Sequence, residues 1–193
     1  MTTRIALSIL LAVAFGFADR PGTDERTALA SAGIEVQAPK RLPDIHYVPT
    51  PPAVVDGMLK LAGVTSADVV YDLGSGDGRI PIAAAKTYGA RGVGIDLDPK
   101  RVAEANRNAR QAGVADKVTF IEGDMFEADI SPATVVTLYL LTAINEKLRP
   151  KLLRELKPGA RIVSHWFRMG DWEPDTMASI EKRPVWLWRV PPR

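Results

Sequence analysis

No cysteine occurs anywhere in the chain, which removes disulfides, thiolate zinc sites and cysteine nucleophiles and leaves the redox compartment unspecified. Only two histidines are present, His46 and His165, far apart in sequence, so a histidine-rich metal site has no basis. Excess charge is scarce as well. A formal net charge of +2 is too slight for the electrostatic footprint of a nucleic-acid binder. No apolar run reaches the ~20 residues that a membrane-spanning helix needs, and no internal repeat or low-complexity tract is evident. What remains is 46% hydrophobic and 25% charged over 193 residues, the balance of one globular domain with room for a core.

The chain begins MTTRIALSILLAVAFGFADR, with a basic residue, a mostly apolar run from Ile5 to Ala18, and a Gly16-Phe17-Ala18 ending. This pattern predicts a secretory signal peptide or a membrane tether over 1–18, hence export or retention at a membrane through residues 5–18. An apolar N-terminal helix on a cytoplasmic protein is the alternative. Residues 19–46 are polar and mixed, with proline, glycine and scattered charge, and read as a linker. The folded domain is expected over 47–193.

From Tyr47 onward, short apolar runs alternate with amphipathic stretches. Val54, Val55, Met58, Leu59 and Leu61 make a helical stripe that opens on prolines and closes at Gly63. DVVYDL, GVGIDL, KVTFIEGD, TVVTLYLL, ARIVSHWF and PVWLWRV read as strands. DGRIPIAAAKTYG, DPKRVAEANRNARQAG and NEKLRPKLLRELKPG read as helices, the last bent or begun at Pro150. Strands alternating with helices predict an α/β fold, a parallel sheet with helices on both faces.

VVYDLGSGDGRI, residues 69–80, spends three glycines in five positions at the end of the first strand. Glycines so spaced build neither helix nor strand well, but they let backbone approach a ligand closely. The spacing is Gly-x-Gly-x-Gly, flanked by Asp72 and Asp77, whose carboxylates disfavour a pyrophosphate and suit a ligand bearing positive charge. Asp96 ends the second strand about 20 positions after Gly74, where a carboxylate can accept both hydroxyls of a ribose. Asp124 follows the third strand. It can accept from an adenine amine beside Met125 and Phe126, or simply cap a helix. The three acids at successive strand tips fit an amino-acid tail, a ribose and an adenine, the parts of S-adenosylmethionine.

YDLGSGDGRI, GIDLDP and EGDMF resemble motifs I to III of the class I S-adenosylmethionine-dependent methyltransferases. YVPTPPAVVDGML, VYDLGSGDGRIPIAAAK, VVTLYLL, LKPGARIVSHWF and DWEPD resemble the mitochondrial protein-lysine methyltransferases that modify ATP synthase and the adenine nucleotide translocase, and more distantly the non-SET histone lysine methyltransferase. The resemblance runs from about Tyr47 to Val190. It implies a Rossmann-like, seven-stranded, mostly parallel sheet, S-adenosyl-L-methionine as cofactor, no metal, and a protein lysine as acceptor, membrane proteins included among the substrates. It also implies roles for residues. Asp72 and the loop of Gly74, Ser75, Gly76 and Gly78 would hold the methionine end, Asp96 the ribose, and Asp124 with Met125 the adenine. Tyr47, Pro49 and Thr50 would close over the cofactor, and Tyr139 would stand at the methyl-transfer mouth, unless it is a core aromatic.

A lysine of pKa near 10.4 is protonated at pH 7, and freeing its lone pair costs about 4–5 kcal/mol. A dry mouth beside a cation lowers that pKa by desolvation and repulsion. No residue in the sequence must be a general base. An adenine methyltransferase usually carries Asn/Asp-Pro-Pro-Tyr after the fourth strand, where this chain reads Leu138-Tyr139-Leu140-Leu141. A small-molecule methyltransferase would need a substrate lid, for which the tail beyond the fifth strand has little material. An exported, non-catalytic nucleoside-binding protein is the alternative outside enzymes.

Overall fold

The computed structural model describes residues 47–193; the expected leader and linker lie outside the described residues. Helix α1 (Pro52–Leu61) is followed by β1 (Val69–Leu73), α2 (Arg79–Tyr88), β2 (Arg91–Asp96), α3 (Pro99–Gln111), β3 (Val118–Glu122), β4 (Val135–Leu138), α4 (Thr142–Glu155), β5 (Arg161–His165), β6 (Thr176–Ile180) and β7 (Arg183–Arg189). The strands form one sheet in the order β3-β2-β1-β4-β5-β7-β6. The first five run parallel; β7 is antiparallel to both β5 and β6. Strand order therefore reverses between β1 and β4, and a crevice opens there beyond the carboxyl ends of the strands.

Each face of the sheet buries its own core, which is why the central strands β1, β4 and β5 are buried without alternation. On one face α1 and α2 bring Val55, Leu59, Ile80 and Ala84 onto Val70, Val135, Val163 and Val185, while Ala105 and Ala109 of α3 pack on Val118 and Phe120. On the other, Ile144, Leu148 and Leu152 of α4 cover Leu73, Val136, Leu138, Ile162 and Trp188. The amino ends of the strands are tied together. Asp68 pairs with Arg161 and accepts from Thr134 Oγ1 at 2.7 Å, joining the starts of β1, β4 and β5. That leaves the carboxyl ends as the open side.

Three elements differ from the sequence reading. One more strand, β6, lies outside that reading: its five residues are exposed or half-buried along the sheet edge, and only Ala178 and Ile180 turn partly inward, too short an apolar pattern to stand out. Helix α4 neither begins at Pro150 nor stops there. It starts at Thr142 and runs through the proline, whose missing N–H leaves the helix one bond short and whose ring crowds the preceding turn. The expected strand TVVTLYLL is also cut short. Pairing with β1 and β5 ends at Leu138, so Tyr139, Leu140 and Leu141 leave the sheet at its open end.

Candidate active site

A cleft of about 840 Å³ occupies the crevice. Its floor is the turn after β1. Gly74 and Ser75 donate their N–H groups to Ile95 O at 2.8 and 3.0 Å, and Gly76 donates to Asp96 Oδ2 at 2.8 Å. The glycines of this turn serve different ends. Gly76 sits at φ +53°, and a Cβ there would fall 2.2 Å from the Tyr47 ring. Gly78, at φ +79°, lets α2 close on the sheet: a Cβ would meet the Phe120 ring at 2.5 Å and Ala105 Cβ at 2.8 Å. One glycine admits a cover, the other a core.

Asp72 is buried beneath the turn with Thr137 Oγ1 donating to it at 2.7 Å. Burial, reinforced by the charges of Asp96 and Asp77 and opposed by the Thr137 bond, pushes its carboxyl up to about 7. A buried acid so raised is one that a bound cation would ionise. Ser75 also lines the cleft, while its Oγ is buried toward Gly94, where a Cβ would meet it at 2.6 Å, and has no hydrogen-bond partner among the described residues. Asp96 divides its two oxygens between Gly76 N–H and Asp98 N–H, and a carboxylate has further lone pairs to offer. A proton-bearing buried acid, a glycine cradle and the remaining lone pairs of Asp96 fit a ligand with a cationic tail and ribose hydroxyls.

Tyr47 to Thr50 cross the cleft as a strap, held by two arginines that in the sequence look like surface cations. Arg79 donates from Nη1 to Thr50 O at 2.8 Å and grips Asp77 through Nε and Nη2 at 2.9 and 2.6 Å. Burial works to raise the Asp77 carboxyl, but the Arg79 bonds and charge hold it below the usual range. Asp77 is thus neutralised within the protein rather than left for a ligand. The Arg101 guanidinium lies 4.3 Å over the Tyr47 ring, a cation–π contact that presses the strap down. Arg79 directly follows the glycine turn, and that adjacency is the one signal the sequence offers for its role.

At the far end of the cleft stands Tyr139, half-buried, with Leu140, Leu141 and Phe167 beside it. Its ring lies 3.9 Å from that of His165 and 6.1 Å from that of Phe167, centroid to centroid. His165 is fully buried behind it, Nδ1 3.5 Å from Thr50 Oγ1 and Nε2 without a hydrogen-bond partner among the described residues. Burial, helped by the charge of Arg183, lowers His165 to about 4, so it is neutral at pH 7.

Of the expected site residues, Tyr47, Pro49, Thr50, Asp72, Gly74, Ser75, Asp96, Met125 and Tyr139 all line the one cleft. Gly76 and Gly78 shape it from behind. Asp124 is not among the lining residues: its Oδ1 accepts the Phe126 N–H at 2.9 Å, while Gly123 and Met125 on either side face the cleft.

Residues 72–176 match the model of the ANTKMT methyltransferase domain. The chain belongs to this family. A protein-lysine N-methyltransferase of Saccharolobus islandicus is 48% identical over 141 residues, 72% of this chain and 88% of that one. The adenine nucleotide translocase lysine N-methyltransferase of Mus musculus is 31% identical over 80% of this chain, which spans 66% of the mouse protein's length. Among solved structures, an RNA methyltransferase from Salinibacter ruber in complex with S-adenosyl-L-homocysteine superposes with a TM-score of 0.75 at 60% identity, covering 76% of this chain and 95% of its own. The methyltransferase is of the S-adenosylmethionine-dependent class, and its sheet is the Rossmann-like one that the family resemblance implied.

Proposed function

We propose that the methyltransferase modifies the side-chain amine of a protein lysine. The observation that carries this reading is the mouth. Tyr139, Leu140, Leu141 and Phe167 give it an aromatic and apolar wall, and none of the four is an amide or carboxylate that could hold a nucleobase amine. Such a wall desolvates an incoming ammonium and favours its neutral, nucleophilic form. The Tyr139 and Phe167 faces can stabilise positive charge passing between donor and acceptor. His165 sits behind Tyr139 rather than at the cleft surface, so it supports the ring and takes no proton from the acceptor.

S-adenosylmethionine supplies an electrophilic methyl group on a sulfonium. Asp72 and the Gly74–Gly78 turn would take its amino-acid end, Asp96 the ribose, and Met125 the adenine, with Asp124 holding the turn that carries Met125. The strap from Tyr47 to Thr50 excludes water above them. With little covalent work for the protein, holding donor and acceptor in line is its main contribution.

The relative from Saccharolobus supports lysine and the structure from Salinibacter bears an RNA methyltransferase's name, so the test admits both. Purified protein is incubated with methyl-labelled cofactor and a whole-cell lysate, and the label is followed into protein and RNA fractions. Label mapped to lysine sustains the reading. Label in RNA, or in small molecules alone, ends it. Retention at a membrane through residues 5–18 belongs to the same reading, supported by that run's apolar sequence; soluble exported protein beginning at Asp19 would remove it.

A further inference from the structure

The chain leaves β5 through an unusual turn. Phe167 N–H donates to His165 O at 2.8 Å around Trp166, whose φ is +69°. This three-residue form is rare, and a tryptophan in left-handed backbone is an outlier that persists only where its surroundings over-determine it. From outside, Trp166 N–H donates to Pro184 O at 2.8 Å, and Trp166 O accepts the Trp186 indole N–H at 3.2 Å.

From inside, the restraint comes from one side chain on α4. Asn145 is fully buried, and its Nδ2 lies 3.3 Å from Ser164 Oγ, from Phe167 O and from Arg168 O. Ser164 Oγ in turn donates to Phe167 O at 2.6 Å. The two backbone carbonyls fix the amide's orientation, because an oxygen turned toward them would meet no proton. Asn145 Oδ1 is consequently buried with no hydrogen-bond partner among the described residues. A leucine of similar volume would avoid that desolvation, so what the amide contributes is the turn it grips.

The turn sets the mouth. Phe167 lines the cleft and stacks along Tyr139, and His165 lies directly behind the same ring. We propose that Asn145 is the positioning residue of the methyl-acceptor mouth, holding the strained turn at Trp166 so that Phe167 and His165, both against the Tyr139 ring, fix its position. Asn145 touches neither donor nor acceptor and acts only through this turn. The proposal rests on the lysine reading solely for its choice of acceptor.

Asn145→Leu and the milder Ser164→Ala are compared with the parent in three measurements: affinity for S-adenosyl-L-homocysteine by calorimetry, near-ultraviolet circular dichroism, and steady-state transfer to poly-L-lysine. Asn145→Leu should keep its affinity within about twofold, change the aromatic dichroism, and lower kcat by about tenfold or more, as misplacement near the reacting atoms does. Ser164→Ala should move the same readouts less, and it carries the test if Asn145→Leu does not fold. Unchanged kcat and dichroism would overturn the proposal, as would loss of homocysteine-nucleoside affinity in step with kcat, the mark of a purely structural role. A parent inactive on poly-L-lysine counts against the lysine reading alone. The dichroism then decides on Asn145, an unaltered spectrum overturning its role.

Discussion

Asp96 reaches from the tip of β2 to the turn after β1, accepting the Gly76 N–H at 2.8 Å with one oxygen and the Asp98 N–H at 2.9 Å with the other. The carboxylate that would hold the ribose therefore also holds the glycine cradle. Asp96→Ala should weaken S-adenosyl-L-homocysteine binding by about 100-fold or more, since hydrogen bonds to a charged acceptor contribute about 1.5–3 kcal/mol each. Asp96→Asn keeps the shape and should fall between. Calorimetry that finds equal affinity for parent and alanine variant would take Asp96 out of the site.

The two inner glycines should fail in different ways. Gly78→Ala drives a Cβ into Phe120 and Ala105, packed core atoms, at a backbone angle alanine adopts poorly. A loss of about 2–4 kcal/mol is expected in denaturant melts, from overpacking and strain together. Gly76→Ala meets only the Tyr47 ring, which can swing away. It should cost about 1 kcal/mol of stability while releasing the strap and raising the cofactor off-rate. Equal stability losses in the two variants would refute this division of labour.

Much of this arrangement is legible in the residues. Apolar runs without alternation mark β1, β4 and β5 as buried strands, and the acids at the tips of β1 and β2 mark the crevice, because a parallel sheet delivers successive strand ends to one side. Three features lie beyond that reading for physical reasons. Strand β6 is a sheet edge whose apolar pattern is too short to stand out. Arg79 and Arg101 look like surface cations until the strap lies over them, and that contact links residues distant in sequence. Asp124 can be read as a ligand-facing acid or a helix cap from the same pattern, whereas its Oδ1 accepts the Phe126 N–H within a turn that starts no helix.

Tyr139 separates ring from hydroxyl. Tyr139→Phe preserves the contacts with His165 and Phe167, so cofactor affinity should stay within about twofold while turnover changes. Tyr139→Ala removes the wall itself and should lower kcat by about 100-fold. If the phenylalanine variant turns over at the parental rate, the hydroxyl has no part in transfer. If the alanine variant does so too, the ring is only packing.

His165 should make the fold acid-sensitive. Its folded-state pKa, lowered by burial to about 4, lies beneath the ordinary 6.5 of an unfolded histidine. The unfolded chain thus takes up a proton first as pH falls. The stability this provides is complete above about 6.5 and lost progressively down through 4, up to about 3 kcal/mol. His165→Phe should flatten that part of the stability–pH curve. A slope between pH 6.5 and 4 that survives the substitution must come from other groups.

Asp72 has the opposite sign and couples to the ligand. Its carboxyl, raised to about 7 by burial, is protonated in the unliganded protein at mildly acid pH, whereas an unfolded aspartate ionises near 3.8. Its contribution to stability is therefore complete below about 3.8 and declines as pH rises through 7. A cationic ammonium lodged beside Asp72 favours the ionised form, so binding below pH 7 must expel a proton. Affinity for S-adenosyl-L-homocysteine should climb as pH rises from 5.5 to 7, then level, falling only at the higher pH where the ligand's own ammonium, kept charged by its neighbouring carboxylate, deprotonates. Calorimetry in buffers of different ionisation enthalpy would count the released proton directly. Asp72→Asn should abolish both the release and the rising limb while leaving the fall at alkaline pH. A rising limb that persists in Asp72→Asn would place the titrating group elsewhere and leave the ammonium without its counter-charge at this position.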